Sequence, residues 1–157
     1  LTLVVAWTLA AQFTEALFHY NREMYMPFAI TYYHIVWATH ERQPLLGRNE
    51  VGPVMDAIDE TCEKLGCKIY ALSVLPDHLH IAVSIPPRIA VLDWVRDMKM
   101  VSARAVRQSV HDFGWDEGCG VITFGTQNKD KVIRYVKRQR ALHAEGQVID
   151  ALEKTSH

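Results

Sequence analysis

An α+β sandwich, with an antiparallel sheet covered on one face by helices, is the fold class this sequence predicts. Three observations lead to it. The elements run strand, helix, strand, strand, helix, strand, and one more helix follows. The third strand alternates without a break between aliphatic residues and small or polar ones. The chain has 157 residues, 49% apolar and 22% charged, which suits one domain able to bury a core without staples.

Each element has its own local reason. Phe28 to Thr39 is rich in aromatic and β-branched residues and reads as a strand. A polar loop with Pro44 and Gly47 follows. From Asn49 to Leu65, Val54, Ile58, Cys62 and Leu65 recur at helical spacing, with Asn49 as the expected cap and Gly66 as the stop. Lys68 to Leu75 is a second strand, and Pro76-Asp77 turns the chain. His78 to Ile85 is the third strand, stopped by Pro86-Pro87. Ile89 to Val110 reads as a longer helix and Val121 to Phe124 as a short fourth strand. Asn128 to His143 is expected as one last helix, with Gly146 just past its end. This order is the split βαβ arrangement of a ferredoxin-like sandwich, with a C-terminal helix added.

The ends read differently. Leu1 to Phe18 carries a single charge, Glu15. No basic residues precede it as in a signal peptide, and polar residues interrupt it too often for a membrane span. Residues 1–25 are therefore expected to be an extension, 26–150 the domain and 151–157 a tail. The three cysteines, Cys62, Cys67 and Cys119, have no common zinc or redox spacing. They read as buried hydrophobes of a reducing, cytoplasmic compartment. No phosphate-cradling glycine loop is present, so a nucleotide cofactor is not expected.

The third strand suggests where chemistry sits. With period two, Leu79, Ile81, Val83 and Ile85 line one face, and His78, His80, Ala82 and Ser84 line the other. Two imidazoles two residues apart on one strand can reach a single ion, although such pairs also occur as plain core residues. At ~100° per residue, Val132, Val136, Gln139 and His143 share one face of the last helix, with Tyr135 at its edge. A buried Gln139 needs partners. From the residues alone, an ion or a backbone group would serve, and Tyr135 reads equally as a core-edge aromatic.

The string Leu75-Pro76-Asp77-His78-Leu79-His80-Ile81 before Pro86-Pro87, with Tyr33-His34-Ile35-Val36-Trp37 upstream and Tyr135-Val136-Lys137-Arg138-Gln139 downstream, resembles the IS200/IS605-type Y1 (HUH) transposases, a family that includes the REP-associated tyrosine transposases. The resemblance covers roughly residues 28–150. It implies that His78, His80 and Gln139 hold a divalent metal, Mg²⁺ or Mn²⁺, and that Tyr135 is the nucleophile. It also implies a single-stranded DNA substrate with a hairpin and a 5′-phosphotyrosine intermediate, with the protein acting as a monomer or a homodimer. A domesticated or inactive relative that only binds single-stranded nucleic acid is the alternative.

The charge agrees once it is resolved along the chain. Seventeen basic residues stand against eighteen acidic ones overall, but residues 129–140 hold six basic and one acidic, and residues 96–107 hold four basic and one acidic. Lys131, Arg134 and Arg138 beside Tyr135, Lys99 and Arg104 on the second helix, and Arg42 after the first strand are the expected contacts to DNA phosphates.

Overall fold

The computed structural model describes residues 29–155. The expected extension over residues 1–25 lies outside the described residues. Four strands, β1 (Tyr33–Ala38), β2 (Lys68–Val74), β3 (His78–Ser84) and β4 (Gly120–Thr123), form one sheet in the order β2-β3-β1-β4. All three pairings are antiparallel. Helices α1 (Arg48–Leu65) and α2 (Val91–Val106) follow β1 and β3. This is the ferredoxin-like arrangement expected from the element order.

The alternation of β3 sorts the two faces. Leu79, Ile81 and Val83 join Ile35 and Trp37 of β1 in a core shared with Val54, Ile58 and Cys62 of α1 and Trp94, Val95 and Met98 of α2. Trp37 packs edge-on against both Trp94 and Trp115. Burying one such large side chain contributes about 1.5–3 kcal/mol, so this layer holds the sheet rigid. Both α1 and α2 thus lie on the face away from His78 and His80.

Two local details depart from the expected boundaries. The first helix is capped at Gly47, whose N–H donates to Glu50 Oε2 at 3.0 Å. Asn49 sits inside the first turn, and the carboxylate at the third helical position reaches back to the cap's own amide. The expected last helix is two helices, α3 (Lys129–Lys137) and α4 (Gln139–Glu145). The break falls at Arg138 (φ −96°, ψ 6°), whose N–H is shared between the carbonyls of Arg134 and Tyr135.

The second face of the sheet is not bare. Helix α3 lies on it, because Ala71 and Ala82 are small enough to admit Val136, with Tyr70, Phe124, Val132 and Ile133 around them. That seat brings Tyr135 and Gln139 down onto the histidine row. A short helix, α5 (Asp150–Glu153), then returns the chain to the edge formed by β1 and β4. Among the described residues, no helix is long and apolar enough to cross a membrane.

Candidate active site

His78 and His80 are both fully buried and point to the face that carries α3. Each has its outer ring nitrogen engaged. His78 Nδ1 donates to Asp77 Oδ1 at 2.6 Å, and His80 Nδ1 lies 3.0 Å from Nε2 of His34. His34 reaches it from β1, whose Val36 is the direct partner of His80 in the register. With Nδ1 occupied on both rings, Nε2 of each is turned into the site. A histidine that holds a metal is normally fixed in this way through its other nitrogen.

Burial disfavours the charged form of His34 and His78. It lowers the pKa of His34 to about 3, with the neighbouring His80 adding to the effect. Burial also lowers that of His78, against the opposing pull of Asp77. Neutral imidazoles are the form that ligates a cation.

Tyr135 packs edge-on against His80 and His34, with its ring centre 6.2 Å from that of His80 and 6.1 Å from that of His34. Its hydroxyl donates to Glu153 Oε1 at 2.5 Å and accepts from the Ile149 N–H at 3.1 Å. Burial raises the pKa of the phenol and the bond to Glu153 raises it further, while the Ile149 N–H and the Gln139 amide oppose the shift. In this arrangement the proton stays on the tyrosine.

Gln139 is fully buried one turn beyond Tyr135; its amide lies beside the phenol, yet neither Oε1 nor Nε2 makes a hydrogen bond of good geometry. An unpaired buried amide costs about 1–3 kcal/mol. An ion in the site would satisfy its carbonyl oxygen, so the residues present fit a divalent metal. The structure therefore brings Tyr135, His78, His80 and Gln139 to one place.

Two further residues enter the site without having been expected. His143 Nε2 lies 3.1 Å from His78 Nε2, and Glu153 Oε2 lies 3.2 Å from His80 Nε2. Burial would raise the Glu153 carboxyl, but hydrogen bonds from His80 and Tyr135, and then the electrostatic pull of the neighbouring rings, hold it down at about 2. His143 was visible in the helical spacing, one turn past Gln139. Glu153 was not, because no periodic pattern ties residues 150–153 to the rest of the chain. His34 was legible from the alternation of β1, which puts it on the face of Val36 and Ala38.

The expected phosphate contacts separate into three groups. Lys131, Arg134 and Arg138 are exposed on and beside α3, close to Tyr135. Arg42 also lies by the site, but its guanidinium is engaged, with Nη2 donating to the Glu153 carbonyl at 3.1 Å and Nη1 3.7 Å from Asp77 Oδ2. Lys99 spends its ammonium on the carbonyls of Asp116, Glu117 and Gly118, at 2.8–2.9 Å. Those three bonds leave it no donor for a phosphate. Arg104 is exposed, but it belongs to α2 on the far side of the sheet.

Comparison with known proteins places the sequence and the fold among transposases. The family model described as "Transposase IS200 like" matches residues 28–139. The ISDra2 transposase TnpA of Deinococcus radiodurans is 22% identical over 115 residues, covering 68% of this chain and 82% of the relative. The transposase for insertion sequence element IS200 of Salmonella typhimurium is 29% identical over 118 residues, covering 68% and 75%. A crystal structure of a candidate transposase from Deinococcus radiodurans superposes with a TM-score of 0.59 at 22% identity, over 74% of this chain and 96% of that one. A REP-associated tyrosine transposase bound to a REP hairpin superposes with a TM-score of 0.58 at 18% identity, over 80% and 76%.

Proposed function

We infer the reaction from one premise: the chain belongs to the IS200-like transposase family. The proposed activity is metal-dependent cutting and rejoining of single-stranded DNA, with Tyr135 as nucleophile and a hairpin near the cut as the recognised feature. The observation that carries this reading is Tyr135 packed against His80 and joined through Glu153 to both His80 and His78 on one rigid sheet face, inside a site where Gln139 makes no well-formed hydrogen bond. The hairpin-bound structural neighbour supports the choice of substrate.

His78, His80 and Gln139 would hold the ion. A divalent metal there, Mg²⁺ or Mn²⁺ by the family resemblance, would polarise a phosphate oxygen and stabilise the charge that develops on it. The protein supplies the rest. The Tyr135 oxygen attacks the phosphorus while its proton passes to solvent, a P–O bond forms, and the bond from phosphorus to the 3′ oxygen breaks. That oxygen takes up a proton and departs as a 3′-hydroxyl. The product is a 5′-phosphotyrosine, and a second 3′-hydroxyl can reverse the step on another strand. One phosphodiester is exchanged for another, so no nucleotide is consumed, and the covalent intermediate divides one transfer into two.

The rigid parts of the site decide its precision. The strand fixes the two imidazoles through Asp77 and His34, so little reordering is needed when substrate arrives. Lys131, Arg134 and Arg138 face the solvent around the nucleophile, where a DNA backbone must pass. Burial keeps Tyr135 protonated, so entry of a phosphate and loss of the bond to Glu153 would have to precede its ionisation.

The test is to mix the full chain with hairpin-bearing single-stranded DNA and Mn²⁺ or Mg²⁺ and to seek a covalent adduct on a denaturing gel. An adduct formed by the wild type and absent in Tyr135→Phe is expected. A chain that binds the hairpin tightly but forms no adduct on any end sequence would be a nucleic-acid-binding relative without strand transfer.

A further inference from the structure

We propose that His143 and Glu153 complete the metal centre, giving a site of three histidines and one carboxylate that takes a first-row transition ion rather than Mg²⁺. This deepens the reading above and rests on it. The four donor atoms all lie within 4.8 Å of one another. Glu153 Oε2 is 3.2 Å from Nε2 of His80, 3.6 Å from Nε2 of His78 and 3.5 Å from Nε2 of His143, and the His78 and His143 nitrogens are 3.1 Å apart. A tetrahedron of ligands at ~2.0–2.1 Å from a central ion has edges of about 3.3–3.4 Å. Four of the six separations lie close to that value and the other two lie within 4.8 Å, so a small closure of the group would bring all four donors onto one ion.

The chemistry of the donors points to the class of ion. Imidazoles favour zinc, cobalt, iron and other transition ions, whereas Mg²⁺ prefers an all-oxygen octahedron with several waters. Three nitrogens and one oxygen make a poor Mg²⁺ site.

Glu153 is placed there by more than its own carboxylate. The Arg42 guanidinium holds its backbone carbonyl at 3.1 Å, and the Ile149 N–H holds the segment to the Tyr135 oxygen at 3.1 Å. Glu41 and Arg42 both adopt left-handed backbone (φ 53° and 52°), a strained conformation for residues with side chains. Gly120 of β4 lacks the Cβ that would collide with the Lys154 carbonyl next door. The Arg42 guanidinium, the Ile149 amide and Gly120 therefore converge on seating the 149–154 segment against the site. The second Glu153 oxygen meets the nucleophile, so the same carboxylate joins the metal centre to Tyr135.

The full chain, stripped of metal with a chelator, should be titrated with Co²⁺ without DNA, following the visible spectrum and the affinity. The wild type is expected to show the intense visible bands of four-coordinate Co²⁺, and a large excess of Mg²⁺ should not displace the ion. Glu153→Gln and His143→Ala should each lose affinity on the order of tenfold or more, since even partners outside the ligand set cost ~10–100-fold, and their spectra should weaken. Glu145→Gln, which removes an exposed charge from α4, should bind as the wild type does. Wild-type affinity and spectrum in both Glu153→Gln and His143→Ala, with loss only in His80→Ala, would overturn the proposal and leave the reading above standing. Undiminished binding in His80→Ala would overturn both. Displacement of Co²⁺ by comparable Mg²⁺ would also overturn the proposal. Circular dichroism of each variant identifies any that fails to fold, and for such a position the conservative His143→Asn or Glu153→Asp supplies the comparison.

Discussion

Gly120→Ala should loosen the 149–154 segment while leaving the sheet in place. A Cβ at this position would fall well inside contact distance of the Lys154 carbonyl oxygen, and 2.8 Å from Val36 Cγ1. The carbonyl is backbone and cannot swing aside, so the segment must move. Moving it breaks the bond from the Ile149 N–H to Tyr135 (3.1 Å), the bond from Tyr135 to Glu153 (2.5 Å) and the bond from Arg42 to the Glu153 carbonyl (3.1 Å). At a net ~0.5–1.5 kcal/mol each, their loss lowers the free energy of local opening by about 3 kcal/mol. Each ~1.4 kcal/mol is a factor of ten, so hydrogen exchange at the Ile149 amide should speed up on the order of a hundredfold. The Ile81 amide in the central strand β3 serves as the internal control. Native-state exchange followed by NMR reads both. Unchanged protection at Ile149 would refute the claim that the missing Cβ seats the segment, and equal loss at Ile81 would show that the substitution acts on the whole fold.

Other perturbations follow from the same contacts. His34→Phe removes the partner of His80 Nδ1, 3.0 Å away, and should weaken Mn²⁺ binding ~10–100-fold, with partial recovery in His34→Gln; equal affinity in all three chains would show that His34 does not orient His80. Burial first, and then the neighbouring Cys67 and Asp59, push the Cys62 thiol up to about 12. Since its pKa lies far above pH 8, almost no thiolate is present there, and a thiol reagent should leave Cys62 unmodified until the chain unfolds; fast labelling in the native state would contradict this. Ile58→Ala removes a fully buried side chain between α1 and the sheet and should cost ~2–5 kcal/mol by urea unfolding, whereas a loss below ~1 kcal/mol would mean that this core is not close-packed.

The fold was legible where a local pattern and the tertiary structure agree. The alternation of β3 separated the aliphatic row from His78 and His80, and that division is the division between the two faces of the sheet. The Val54, Ile58 and Cys62 spacing located the buried side of α1 in the same way. The break at Arg138 was not legible, because the apolar spacing of Val132, Val136 and Gln139 continues through it and only the backbone angles record it. Lys99 shows the limit of reading charge as function. A basic residue in a basic stripe looks like a phosphate contact, yet this one closes the 116–118 loop through three carbonyls. Glu153 shows the limit of reading distance along the chain. It meets His80 across 73 positions, and what brings it there is a glycine on β4 and an arginine after β1, neither of which marks a site in sequence.

The central claim is that Tyr135 becomes covalently joined to DNA. The direct measurement is to react the full chain with a 5′-extended hairpin oligonucleotide and Mn²⁺, digest both components, and locate the modified peptide by mass spectrometry. The account predicts a nucleotide attached through its 5′ phosphate to the peptide that contains Tyr135, with a free 3′-hydroxyl on the released strand. Cleavage with the phosphate on the 3′ side, or an adduct on any residue other than Tyr135, would contradict it.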